Sequence, residues 1–98
     1  MGVKADIGWK RRTEDGAKLE VYAARVGGEW RFFHRARRFD RWESVEQPPL
    51  EDWLELLDAI QRMIPRQRYP PEEEHRVKKA IQDRFPGIKF GREAGGAN

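Results

Sequence analysis

Five arginines and five aromatic rings fall within residues 29–43, EWRFFHRARRFDRWE. Guanidinium groups pair with phosphate oxygens, and aromatic side chains stack on bases. Those two residue types together supply the chemistry of single-stranded nucleic-acid binding. Other reactive residues are sparse. His34 and His75 are the only histidines and cysteine is absent, so no metal centre is expected and thiol chemistry is excluded. Ser44 and Thr13 are the only aliphatic hydroxyls, and neither sits in a nucleophile elbow. Gly27-Gly28 lacks the spaced glycines or the GK[ST] of a phosphate loop. Glu51, Glu55 and Asp58 recur at i, i+4 and i+7 along one helix face, opposite the apolar stripe. A solvated flank explains them better than a catalytic pair does. The acidic run at 72–74 is read as favourable charge at a helix N-terminus. These absences predict no enzyme and no cofactor.

The elements that must position the arginines and rings are three strands. DIGWKRR, KLEVYAARV and EWRFFHRAR each alternate apolar with polar residues. Gly27-Gly28 supplies a two-residue turn at positive φ. That turn places Val26 opposite Glu29, Ala23 opposite Phe32, Tyr22 opposite Phe33 and Leu19 opposite Ala36. Directly opposed residues share a face. A three-residue loop, Glu14-Asp15-Gly16, keeps Ile7 and Trp9 on the face of Val21 and Ala23, with Gly16 left-handed. The inner face then holds Ile7, Trp9, Leu19, Val21, Ala23, Trp30, Phe32 and Ala36, with His34 at its end. The outer face holds Lys10, Arg12, Lys18, Glu20, Tyr22, Arg31, Phe33, Arg35 and Arg37.

The second half is helical in period. Leu50, Trp53, Leu54, Leu57, Ile60 and Ile64, widened by Leu56 and Met63, form one stripe between Pro48-Pro49 and Pro65. Val77, Ala80, Ile81 and Phe85 form a narrower stripe that begins near Pro71 and stops at FPG. The expected fold is α+β: a three-stranded antiparallel sheet (β-β-β) followed by two helices packed on one face. A single domain over residues 1–90 is expected, with a disordered tail over 91–98. Residues 38–47 give no clear period, so Phe39 and Trp42 could cap the core or stand exposed.

Charge refines the functional expectation. Residues 1–46 carry 11 basic and 8 acidic groups, residues 47–64 carry 1 and 4, and residues 65–98 carry 8 and 5. An acidic middle between basic flanks gives a polar molecule that attracts anions at one region. The expected function is nucleic-acid binding, to RNA or single-stranded DNA, through Tyr22 and Phe33 with Arg31, Arg35, Arg37, Lys18 and Arg12. The alternative is a protein-interaction role for Trp42 and Phe39, or for Glu55 and Asp58. The absence of cysteine, signal-peptide core or membrane-length apolar run points to the cytoplasm and to no membrane partner, and a monomer with no metal partner is expected.

Overall fold

A computed structural model describes residues 7–90, so the tail expected over 91–98 lies outside the described residues. The order is β1 (Ile7–Arg12), β2 (Lys18–Val26), β3 (Glu29–Arg35), β4 (Glu43–Val45), α1 (Leu50–Met63) and α2 (Pro71–Arg84). An antiparallel sheet followed by two helices is the α+β arrangement that the alternation and the helical period imply. Among the described residues the sheet has four strands in the order β1-β2-β3-β4, one more than expected. The chain divides into two compact units, Met1–Asp52 and Trp53–Asn98.

Within the first unit the strand register is the one the turns dictate. Ala23 pairs with Phe32, Tyr22 with Phe33 and Val26 with Glu29. Ile7 pairs with Ala23 and Trp9 with Val21. Gly27 and Gly28 have φ of 61° and 86°, the left-handed region a tight hairpin turn requires. Gly16 is left-handed too, and the Thr13 amide donates to the Ala17 carbonyl across that loop at 2.8 Å.

Ile7, Val21, Ala23 and Phe32 share the inner face and are buried. Trp9 meets Phe32 edge-on at 6.2 Å. Burying a side chain such as Phe32 stabilises the fold by roughly 1.5–3 kcal/mol. β3 stops at Arg35, so Ala36, expected opposite Leu19, is exposed outside the ladder. β4 adds the missing edge: Val45 pairs with Phe32, Ser44 with Phe33 and Glu43 with His34. Three residues are too few to show a period, which is why the strand is invisible in the sequence.

The inner face also carries a charge. Arg11 follows Trp9 by two residues and so points to the same side. Its Nε donates to Asp52 Oδ1 at 2.7 Å and its Nη2 to Asp52 Oδ2 at 3.1 Å. Trp9 Nε1 also donates to Asp52 Oδ1, at 3.1 Å. Asp52 is therefore a buried acceptor rather than only a favourable charge in the first helical turn. The Asp52 hydrogen bond raises the Arg11 pKa, with Glu51 adding attraction, against the opposing effect of burial.

In the second unit, Trp53, Leu56, Leu57 and Ile60 are buried along α1, and Val77 and Ile81 along α2. Ala59 is buried while Leu54 is exposed, contrary to the expected stripe. At ~100° per residue, Leu54 points well away from the mean direction of residues 53, 56, 57 and 60. Gln61 Nε2 donates to Glu74 Oε2 at 2.9 Å, joining the two helices, and Glu74 also pairs with Lys78 at 3.1 Å. Arg84 lies over the Trp53 ring at 4.9 Å. Glu73, one of the acidic residues at the helix start, is buried, with Arg76 Nη1 at 3.6 Å from its carboxylate.

Candidate functional site

The outer sheet face gathers most of the residues singled out in the sequence. Register places Tyr22 opposite Phe33, and their rings stack at 4.8 Å with 20° between planes. Both are half-buried. Trp42 joins them, which sequence reasoning missed. It precedes β4 by one residue, and alternation from Ser44 turns it to the side of Phe33. From there it reaches above β3 and meets the edge of Tyr22 at 4.7 Å and 89°. The expected couple of rings is thus a cluster of three, and Trp42 remains 37% exposed. The sequence places Trp42 in the protein-interaction alternative; in the fold it packs on Tyr22.

The cations around this cluster differ in what holds them. Arg35 Nε donates to Glu20 Oε1 at 2.7 Å, and its guanidinium lies 4.1 Å from the Trp42 ring centre. Arg35 thereby fixes Trp42 and has its charge matched by Glu20. The same hydrogen bond, reinforced by the charges of Arg35, Lys10 and Arg38, holds the Glu20 carboxyl below the usual carboxylate range. Arg31 is exposed on the outer face opposite Ala24, with Glu29 at 3.7 Å. Arg12 and Lys18 are exposed and directly opposed in the ladder. Like charges so placed repel. Arg12 relieves part of that by donating from Nη1 to the Gly16 carbonyl at 2.8 Å.

Arg37 lies beyond β3, in a turn rather than on the strand as expected. Its amide donates to Asp40 Oδ2 at 3.1 Å, and the Asp40 amide donates to the Arg37 carbonyl at 2.9 Å. That turn displays Phe39, which is 93% exposed, with Arg38 5.8 Å from its ring centre. Glu55 and Asp58 are exposed on α1 in the second unit, and Asp58 accepts from Arg62 at 3.2 Å. His34, at the end of the inner face, has Nε2 at 3.4 Å from Glu43. Among the described residues no group of three or more His, Cys, Asp or Glu is gathered to hold a metal ion. Among them, too, no helix is long and apolar enough to cross a membrane.

A groove of about 480 Å³ opens on the outer face over β1 and β2, lined by Gly8, Lys10, Glu20, Tyr22 and Trp42 among others. Gly8 pairs with Tyr22, so the missing side chain bares the flank of the tyrosine. Trp42 forms the far wall, and the opposed pair Lys10 and Glu20 brings both charges to the groove. The alternation of β1 carries the signal for Gly8 and Lys10, whereas the reach of Trp42 depends on a strand without one. No protein-family model, curated protein or solved structure matches this chain.

Proposed function

We propose that the chain is a non-enzymatic module that binds single-stranded nucleic acid, RNA or DNA, across the outer face of the sheet. The reading rests on one observation: a three-ring cluster, half-buried at Tyr22 and Phe33 and exposed at Trp42, stands on a sheet face with the exposed cations Lys10, Arg12, Lys18 and Arg31. Rings of this kind accept bases, and stacking contributes about 1–3 kcal/mol per base. A phosphate between Arg12 and Lys18 removes their mutual repulsion, a gain the unbound face lacks. Arg35 has a different role from the one its sequence position implies. Paired with Glu20 and laid on Trp42, it sets the shape of the platform rather than contacting phosphate.

Fluorescence anisotropy with a labelled mixed-sequence single strand at low salt tests the reading. Binding should be lost in Arg31→Glu with Lys18→Glu, two exposed positions, while the thermal unfolding midpoint holds. Tight binding by this double variant, or none by the parent protein, rejects the proposal.

A second reading is supported by Phe39. A phenylalanine almost wholly in water at the tip of a turn built by Asp40 is a shape suited to a partner's apolar pocket. Its expected signature is a protein cross-linked near residue 39 and lost in Phe39→Ser. Unaltered cross-linking in that variant removes the second reading.

A further inference from the structure

We propose, resting on the strand-binding reading, that the groove over Gly8 is a nucleobase subsite and that it selects guanine. It is a shallow groove of about 480 Å³, open to solvent. Two aromatic side chains, Tyr22 and Trp42, meet edge to face and line it together with Gly8. The charged groups at the groove are one acceptor-only carboxylate, Glu20, and one donor-only ammonium, Lys10.

The bases differ in how they meet such a pair. In a single strand the Watson–Crick edge is open to the protein. Guanine presents N1–H and the 2-amino group side by side, two donors for one carboxylate, with O6 next to them for the ammonium. Adenine and cytosine each offer the carboxylate one amino group and turn a bare ring nitrogen beside it. Uracil flanks its single N3–H with carbonyls, one of which meets the carboxylate as acceptor against acceptor. A carboxylate has about four lone-pair positions, and Arg35 Nε occupies one on Oε1. The Arg35 hydrogen bond also keeps Glu20 ionised, the state in which it only accepts.

The test compares labelled strands about ten nucleotides long, within the span of small single-strand binding sites. They are oligouridylate, oligocytidylate, oligoadenylate, alternating guanylate–uridylate, and the same strand with inosine for guanine. The guanine strand should bind at least about tenfold tighter than the others. Inosine, which lacks the 2-amino group, should lose part of that margin. Glu20→Gln retains an acceptor for Arg35 but should reduce the guanine strand to the affinity of oligouridylate. Gly8→Val should do the same by placing a branched side chain in the groove. A Cβ at Gly8 meets the Val21 carbonyl at 3.4 Å and Tyr22 Cβ at 3.6 Å, ordinary contacts, so the fold should survive, as circular dichroism would verify. Equal affinity for all strands overturns guanine selection and leaves the strand reading intact. Binding of none overturns both. Guanosine monophosphate binding as tightly as the strand supports the subsite and overturns the strand as its ligand.

Discussion

Two residues that look alike in composition behave differently because of what faces them. Arg31 is one of many exposed cations, and its Glu29 partner at 3.7 Å adds little in water. Arg11 is a strand residue on the inner face, and its guanidinium is met by a carboxylate that is itself buried. Removing Asp52 takes both bonds of the Arg11 fork, leaving it only Glu51 at 3.3 Å, and removes the acceptor of the Trp9 N–H. Asp52→Ala should therefore destabilise by about 2–4 kcal/mol, read from urea unfolding. Arg31→Ala should change stability by less than about 0.5 kcal/mol. Similar losses in the two variants would show that the Asp52 bonds contribute no more than a surface pair.

At the scale of elements, the hairpin is specified by its turn. Gly27 and Gly28 both lie at positive φ, where an added Cβ meets no neighbour but is strained by its own backbone. Gly28→Ala should cost about 1 kcal/mol from that strain, measured by denaturant midpoint, in contrast to the tolerated substitution at Gly8. The turn explains why so much was legible: once two glycines fix the β2–β3 register, every face assignment from Leu19 to Arg35 follows from the pleat. Tyr22 against Phe33 was predictable on that basis, and the Trp9 and Ile7 faces followed from the Gly16 loop. What stayed hidden had no period. β4 is three residues long, the turn at Arg37–Asp40 ends β3 early, and Trp42 is positioned by both. Arg11 was legible in alternation but not in partner, since its acceptor lies 41 residues away. Acid should weaken local links of the same kind. The Glu20 and Glu74 carboxyls are held below their ordinary values, chiefly by hydrogen bonds from Arg35 and Gln61 respectively. In the acidic window the unfolded chain binds more protons, so the stability these groups contribute is present at neutral pH. It is lost as pH falls from the ordinary carboxylate range through the lowered folded-state values. Denaturant midpoints measured from pH 7 downward should drop less steeply in Glu20→Gln and in Glu74→Gln than in the parent.

For the whole molecule, the formal net charge of +3 is small against 20 basic and 17 acidic side chains. Binding to a polyanion must therefore come from local arrangement rather than from bulk attraction. On the outer face, Arg35 is matched by Glu20, and Arg31 has Glu29 nearby. Lys10, Arg12 and Lys18 are the exposed cations at the end of the face that carries the groove. If Arg12, Lys18 and Arg31 meet phosphates while Lys10 meets the base and Arg35 stays on Glu20, about three counterion sites on a single strand are vacated. At about −0.7 per phosphate, the logarithm of the binding constant should fall against that of salt with a slope of about −2. Lys18→Ala should make the slope shallower by about one phosphate's share and weaken all sequences alike. Arg35→Gln should leave the slope nearly unchanged and lower the affinity at every salt concentration, because it loosens Trp42 rather than removing a phosphate contact. A slope that drops equally in both variants would return Arg35 to the phosphate-binding set and remove its role in shaping the platform.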